Sequence, residues 1–319
     1  MRSLQVDGFL SVLREEFFTV TSSAIYHRLQ DLFDALGIDI QQDAEFTVHL
    51  LEEVHREVRQ SPTFRANYYT FVFLASGSSE YTLDGRSFLA KAGTVYFTNP
   101  GHLKSFQLHE RCTGHLLTFS EKFLKQSVHP RVFDDFPFLL AETVPPGYLD
   151  EEEFAEQHKL VQQIAREYQL HSTYKYRIIG NLFVVLLLKI KERFWGSYNP
   201  QWESDRGSVI VQTFRQQLER NYRVLDELPH LPGVRDYAEA QQLHPNYFST
   251  VIKTKTGRSV NTWINEKTLL EAQALLAQPM LSIKEIAYRL KFSEPTHFGK
   301  FFKKHTQQSP GVYRQSLPS

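Results

Sequence analysis

The chain has 319 residues, a length comfortable for two domains, and its 41% hydrophobic content is enough to build buried cores. Lysine plus arginine and aspartate plus glutamate each number 36, so the formal net charge is zero, which taken over the whole chain argues against a highly basic nucleic-acid-binding protein. The single cysteine, Cys112, excludes a disulfide framework and a multi-cysteine metal site.

The beginning of the chain predicts helix and shows no targeting segment. Leu29, Leu32, Phe33 and Leu36 follow helical spacing and Gly37 ends it, so residues 1–45 are predicted as a helical extension. The longest apolar run of the chain has seven residues, far short of the roughly 20 that cross a membrane. A cytoplasmic location without membrane contact is therefore expected.

From residue 46 the periodicity is that of strands. Short runs rich in aromatic and β-branched residues alternate with turn signals, and Asp84-Gly85 is a tight hairpin signal. The runs are 46–50, 69–74, 81–83, 87–89, 94–97, 104–108 and 114–119. This spacing predicts an antiparallel sandwich or small barrel.

Two long helices are predicted after the strands, over 151–168 and 174–194. Each carries an apolar stripe that needs a partner. The stripes are Phe154, Leu160, Val161 and Ile164 in the first helix, and Ile178, Leu182, Val185, Leu186 and Ile190 in the second. A second copy of the chain and the chain's own barrel are equally good partners for these stripes.

The charge is divided unequally between the two parts of the chain. The stretch 196–207, rich in Gly, Pro, Asn and Ser, is predicted as a linker. Residues 206–319 contain 16 lysines and arginines against 9 acidic residues, a net +7, which leaves −7 for residues 1–205. Such an asymmetry indicates nucleic-acid contact by the basic part, although surface charge also varies without function.

The basic part contains an internal repeat. Residues 234–243 align with 283–292 at an offset of 49, and both copies are followed by a second amphipathic helix. Its apolar positions are Phe248, Val251 and Ile252 in the first copy, and Phe298, Phe301 and Phe302 in the second. A short helix, a tight turn and a second helix form a helix-turn-helix unit, here predicted over 234–256 and 283–305.

The second helix of each unit presents polar side chains that suit the major groove. The first copy carries Asn246, Ser249, Thr250 and Lys253, and the second carries Thr296, His297, Lys300, Lys303 and Lys304. Asparagine bonds adenine edges, hydroxyls bond bases or phosphates, and lysine bonds guanine or phosphate. The alternative interpretation is a plain helical bundle whose polar faces are only solvated.

Between the copies, residues 260–276 are predicted as one helix. Its 17 residues span roughly 25 Å at 1.5 Å per residue. That length sets two recognition helices about one DNA turn apart, so that one chain could read two successive major grooves.

The last hundred residues resemble the DNA-binding domain of AraC/XylS-type transcriptional regulators. The matching motifs are Gly257-Arg258-Ser259, Leu269-x-x-Ala272-x-x-Leu275-Leu276, Ser282-Ile283-x-Glu285-Ile286-Ala287, Phe298-x-x-Phe301-Phe302-Lys303-Lys304 and Ser309-Pro310-x-x-Tyr313-Arg314. The segment 46–120 is similar to the cupin-type sensor barrel that often precedes this domain, with Gly93-Thr94-x-Tyr96-Phe97-x-Asn99-Pro100-Gly101.

The resemblance implies an α+β protein of two domains. A cupin-like antiparallel β-barrel with flanking helices would occupy 46–195, with the helical segment as a dimerisation element. An all-α domain of two helix-turn-helix subdomains joined by a linker helix would occupy 208–319. The base-reading positions would fall on Asn246, Ser249 and Thr250, and on Pro295, Thr296, His297 and Lys300, where Pro295 can make only apolar contact.

The sequence departs from the family pattern at three positions. Lys291 and Gln307 replace glycines expected in left-handed turns, at a cost on the order of 1 kcal/mol each. Thr268 stands where an arginine is usual, which removes a polar or phosphate contact. The second helix-turn-helix unit is therefore expected to contact DNA mostly through phosphates.

The barrel offers residues for an effector pocket without metal. Arg65, Tyr69, Phe71, His102 and His115 are the candidates, and Arg65 would suit an anionic ligand. Core or surface positions explain the same residues equally well. No His-x-His pair occurs, so no metal, cofactor or catalytic residue is predicted.

The function predicted from the sequence is sequence-specific transcription regulation without enzyme activity. The expected partners are double-stranded promoter DNA, RNA polymerase, an unknown small-molecule effector and a second copy of the chain. The alternative is a cupin-type small-molecule-binding protein or metal enzyme whose helical part is an interaction module.

Overall fold

The computed structural model describes residues 24–55, 59–140, 146–194 and 206–317. The chain divides into two compact units between Trp202 and Glu203. In the described residues the first unit contains the strands and the second is helical, so the α+β class predicted from the sequence is confirmed. Most of the predicted linker lies outside the described residues.

The first unit contains two five-stranded sheets. Sheet A has the order β1-β3-β8-β5-β6, and sheet B has the order β10-β7-β4-β9-β2. All pairs are antiparallel except β1 with β3. The strands are β1 Ala24–Tyr26, β2 Phe46–Leu50, β3 Phe64–Ala66, β4 Tyr69–Ser76, β5 Ser78–Leu83, β6 Arg86–Lys91, β7 Thr94–Thr98, β8 Leu103–Leu108, β9 Thr113–Phe119 and β10 Gly147–Tyr148.

The seven predicted strands are confirmed, and three short ones were not predicted. The hairpin between β5 and β6 turns on Asp84 and Gly85, both with positive φ (48° and 82°), as an Asp-Gly turn requires. The helical interpretation of residues 24–26 is wrong, because this segment forms β1 and pairs with β3. Residues 1–23 of the predicted extension lie outside the described residues.

Sheet B is buried on both faces. Residues 69–74 of β4 are all buried, whereas β5 alternates between buried and half-buried positions. On β4, Phe71 and Phe73 belong to the core that includes the long helices, and Val72 and Leu74 belong to a second core on the other face. The near-continuous apolar run of β4 follows from this double burial.

Six α-helices accompany the sheets in the described part of the first unit. They are α1 Leu29–Ala35, α2 Leu51–Val54, α3 Glu121–Phe123, α4 Val132–Asp135, α5 Glu151–Gln169 and α6 Lys175–Phe194. The predicted long helices agree with α5 and α6 to within one residue. Helix α5 begins at a capping box, in which Asp150 accepts from the amide of Glu153 and Glu153 accepts from the amide of Asp150.

The second unit packs around one central helix. Its helices are α7 Arg206–Arg223, α8 Val234–Glu239, α9 Pro245–Thr256, α10 Val260–Leu276, α11 Ile283–Arg289, α12 Pro295–Thr306 and α13 Pro310–Ser316. The predicted linker helix is α10, and it contacts α9, α11, α12 and α13. Its buried side chains, from Val260 to Leu276, form one core with those of the flanking helices. No helix of the described residues is long and apolar enough to cross a membrane.

The two turns that lack the usual glycine adopt the left-handed conformation. Lys291 has φ 62° and Gln307 has φ 61°. In the first copy the equivalent residues are Gln242 (φ 56°) and Gly257 (φ 72°). The predicted backbone strain therefore lies at Lys291 and Gln307, and also at Gln242.

Thr268 is buried between α10 and α7 and is 1% exposed. Its hydroxyl lies 2.5 Å from the Tyr222 hydroxyl and donates to the carbonyl of Ile264 at 2.8 Å. The side chain at position 268 therefore points into the core of this unit. The threonine there closes a buried hydrogen-bond network.

Replacing Gln307 with glycine should stabilise the second unit. The φ of 61° costs a non-glycine residue about 1 kcal/mol, and the side chain contributes only a 3.3 Å hydrogen bond to the carbonyl of Lys304. Urea unfolding of Gln307→Gly should show a free energy of unfolding higher by about 0.5–1 kcal/mol. The control is Gln308→Gly, which relieves no left-handed backbone and should lower stability. Equal effects of the two substitutions would contradict the assignment of strain to Gln307.

Candidate nucleic-acid interface

The two helix-turn-helix units are built alike. In each, a fully buried alanine of the first helix, Ala238 or Ala287, lets the second helix approach closely. The second helix is fixed by two buried residues one turn apart, Phe248 and Ile252 in α9 and their counterparts in α12. Since one face of each second helix is buried, the opposite face is open.

The open face of α9 carries the residues that the sequence singled out. Asn246, Thr250 and Lys253 are exposed and Ser249 is half-buried. The Thr250 hydroxyl donates to the carbonyl of Asn246 at 2.9 Å, which leaves its oxygen free to accept. Donors and acceptors for base edges therefore lie on the first two turns of α9, the part of a recognition helix that enters the groove.

The open face of α12 is more basic. Thr296, His297, Lys300, Lys303 and Lys304 are all exposed, and Pro295 is half-buried in the first turn. His297 Nδ1 lies 3.0 Å from the Ser293 hydroxyl, which orients the ring. The face offers three ammonium groups and few base-reading groups.

The lysines of both faces have no acidic partner in the second unit. Within residues 206–317, no carboxylate lies within 4.0 Å of Lys253, Lys300, Lys303 or Lys304. The buried cations do have partners: Lys267 donates to Glu219 at 2.5 Å, and Arg258 pairs with Glu266. The lysines on both open faces thus carry positive charge that no carboxylate of this unit neutralises, and DNA phosphates could bind there.

Two residues of the recognition helices were missed by the sequence reasoning. Tyr247 is 45% exposed beside Asn246, and its ring centroid lies 6.0 Å from the Arg206 guanidinium. Gly299 occupies the position in α12 that Ser249 has in α9, at the repeat offset of 50. A Cβ on Gly299 would meet no described atom within 4 Å. The repeat offset alone could have drawn attention to this glycine.

The predicted effector residues of the barrel are not brought together. Arg65 donates to the carbonyl of Gly101 at 2.5 Å, and His102 Nδ1 lies 2.6 Å from Asp84 Oδ2. Burial opposes the Asp84 charge, but the hydrogen bonds from His102 and the Leu103 amide outweigh it and hold the pKa of the carboxyl below its usual value. These contacts brace the β5–β6 hairpin.

Tyr69, Phe71 and His115 face the long helices instead. Tyr69 stacks on Phe119 with ring centroids 5.4 Å apart, and Phe71 packs on Phe183 of α6. His115 Nδ1 lies 2.8 Å from Nε2 of His158 on α5. Burial, reinforced by His158, lowers the pKa of His115 to about 4. The prediction that these residues line one pocket with Arg65 and His102 is therefore wrong.

The described residues include no group of three or more His, Cys, Asp and Glu side chains arranged to hold a metal ion. A cavity does lie between the two sheets, but its walls are formed by other residues.

Comparison with known proteins matches both units. Residues 237–316 match the family model of a helix-turn-helix domain, and residues 55–173 match that of an AraC-like ligand binding domain.

Among curated relatives, the regulatory protein PocR of Salmonella typhimurium is 36% identical over 84 residues, 26% of this chain and 28% of that protein. The transcriptional activator RhaS of Escherichia coli is 24% identical over 268 residues, 80% of this chain and 87% of that protein. A solved structure, the C-terminal domain of AraT from Geobacillus stearothermophilus, is 29% identical, covers 36% of this chain and 91% of that one, and has a TM-score of 0.32. The match to PocR thus spans less than a third of that protein. With an AraC-like ligand-binding domain followed by a helix-turn-helix domain, the chain belongs to the AraC-type regulators.

Proposed function

We propose that this protein is a sequence-specific, DNA-binding transcription regulator that is not an enzyme. Its two recognition helices would enter successive major grooves of promoter DNA, and its N-terminal barrel would sense a small molecule. The observation that carries the proposal is the repeated helix-turn-helix unit, in which both open helix faces hold the polar and basic side chains.

The two recognition helices would have different tasks. Helix α9 presents an amide and two hydroxyls near its N-terminus, groups that discriminate between base edges. Helix α12 presents three lysines, which suit phosphates and carry little sequence information. Helix α9 would therefore supply most of the base preference, and helix α12 would supply most of the electrostatic affinity.

Substituting one residue from each face should separate these tasks. Asn246→Ala should cost about 1–3 kcal/mol on the preferred site, relax the preference at one base pair and leave binding to random DNA nearly unchanged. Lys303→Ala should weaken binding on all sequences alike and reduce the slope of log affinity against log salt by about 1. Fluorescence anisotropy with the full chain at several salt concentrations measures both effects. Equal losses on preferred and random DNA for Asn246→Ala would contradict the base-reading role of α9.

Gly299 would allow DNA to approach α12 closely. A glycine inside a helix costs roughly 0.5–1 kcal/mol relative to alanine. A Cβ at position 299 would have room, because no described atom lies within 4 Å of it. Gly299→Ala should therefore raise the free energy of unfolding by about that amount and still weaken DNA binding. Gly311→Ala in α13, where a Cβ would make an ordinary 3.6 Å contact with Ile283, is the matched control and should leave DNA binding unchanged. Unaltered DNA binding by Gly299→Ala would contradict the proposal that DNA approaches α12 closely at this residue.

The proposal includes a homodimer formed through α6. Three apolar side chains of this helix remain exposed: Ile178, Val185 and Leu188 at 37%, 43% and 51%. Their spacings of seven and three residues place them on one seam of the kind that pairs helices. The buried residues Ile179, Phe183 and Leu186 pack on the chain's own barrel core. The chain's own barrel and a second copy of the chain, the two partners that the sequence left open, would thus pack on different faces of α6.

A charge in the seam should disrupt this dimer. Leu188→Asp is expected to convert the protein to a monomer in sedimentation experiments, with the fold retained by circular dichroism. The control is Leu89→Asp on β6, since Leu89 is equally exposed (57%) but lies away from the seam. A dimer that survives Leu188→Asp would show that another surface pairs the chains.

Further partners belong to the same proposal. RNA polymerase is included because a promoter-bound regulator acts on transcription through it or against it. A cytoplasmic location is included because the protein must reach its promoter DNA. The sensor role of the barrel is supported by the match of residues 55–173 to an AraC-like ligand binding domain.

A further inference from the structure

The interior of the barrel contains a cavity of about 90 Å³ between sheets A and B. Aromatic and aliphatic side chains from both sheets form most of its wall, among them Tyr26, Phe64, Tyr68, Val72, Tyr96 and Leu116. An empty cavity of 150 Å³ accepts benzene, so this smaller cavity is on the scale of a short alkyl chain. It is thus an apolar space suited to a small ligand.

One titratable amine projects into this apolar space. Lys104 on β8 lines the cavity and is 4% exposed. Its Nζ donates to the Thr98 hydroxyl at 3.0 Å and lies 3.5 Å from the Thr70 hydroxyl. The rings of Phe64 and Tyr68 lie 5.4 and 5.3 Å from the ammonium. Neutral hydroxyls and ring faces are its neighbours.

No anion of the described protein balances this ammonium. No carboxylate lies within 4.0 Å of Lys104 in the described residues, and the closest acidic influence comes from Asp84. Asp84 is already bonded to His102 and to the amide of Leu103. A buried cation without a paired anion is costly, and elsewhere in this chain the buried Lys267 has its glutamate.

A second polar group of the cavity, the Tyr68 hydroxyl, has no hydrogen-bond partner among the described residues. Tyr68 is 2% exposed. Burial raises the pKa of Tyr68 well above its usual value, so the hydroxyl stays protonated and remains a donor. The cavity therefore offers an ammonium without a paired anion and a hydroxyl donor without an acceptor, and a ligand anion could supply both.

We propose that this cavity binds a small organic carboxylic acid with an apolar body, whose carboxylate pairs with the Lys104 ammonium. This inference rests on the proposed sensor role and names the chemical class of the effector. The apolar body fills the space between the aromatic side chains, and the carboxylate supplies the missing anion. Burial lowers the pKa of Lys104 to about 7, and a bound carboxylate favours the protonated form.

The test measures binding to the full-length protein by calorimetry at pH 6.5, without DNA. The probes are butyrate and hexanoate, each compared with its neutral amide of the same shape. Lys104→Met removes the ammonium and keeps an apolar side chain. Lys91→Met, at an exposed position of β6, is the matched control. Thermal melts establish that both variants fold.

At least one acid should bind the wild type and the control tenfold or more tightly than its amide. Lys104→Met should lose that preference and melt at a higher temperature than the wild type in the absence of ligand, because an unpaired buried charge is gone. An amide that binds as tightly as the acid, no binding by either acid, or a preference retained by Lys104→Met would overturn the proposal. So would trapping of hexanal on Lys104 by cyanoborohydride without acid binding, which identifies a carbonyl ligand instead.

The outcome is separable from the regulator proposal. DNA affinity of the same variants, measured without any acid, tests the helix-turn-helix domain alone. Retained DNA binding together with failed acid binding would remove only the effector class.

Discussion

The burial of one apolar face on each recognition helix is the constraint on which the rest of the second unit depends. Phe248 and Ile252 in α9, and Phe298 and Phe302 in α12, are completely buried. Both pairs belong to the core that α10 also enters. Because these faces are fixed inward, the polar faces can only point outward, and one central helix holds both. The interface thus follows from packing, before any contact with DNA is considered.

That packing also explains the character of α10. A helix that contacts its neighbours on several sides must be buried over most of its circumference. Trp263, Lys267 and Thr268 are accordingly all buried, and each has a polar partner: Trp263 donates to Thr256, Lys267 pairs with Glu219 and Thr268 bonds to Tyr222. The central helix packs against both recognition helices, and reading two grooves at once requires that their relation be held in this way.

The sequence predicted the structure well where one repeat or one hydrophobic periodicity dominates a segment. The repeat at an offset of 49 to 50 located both helix-turn-helix units, and the left-handed turns at Lys291 and Gln307 followed from the residues that replace glycine. The strands of the barrel were found by alternation and turn signals. Strands β1, β3 and β10 have only two or three residues, too few to show a period.

The cavity between the two sheets could not be predicted for a physical reason. Strand β4 is buried on both faces, so hydrophobicity does not show whether its odd-numbered or its even-numbered side chains point into the barrel. Tyr69 and Phe71 proved to face the long helices, whereas Thr70 and Val72 line the cavity. Lys104 escaped notice because a lysine in an alternating strand is normally taken as solvent-facing. Its burial becomes visible only when both sheets are in place.

Selection of bound sequences from random duplex DNA by the full-length protein tests the central claim most directly. Two recognition helices packed in one core predict two short enriched blocks with centres about one helical turn, 10–10.5 base pairs, apart. The block read by α9 should be the better defined, since α12 offers mainly lysines. Enrichment of a single block, or of no sequence at all, would contradict the account.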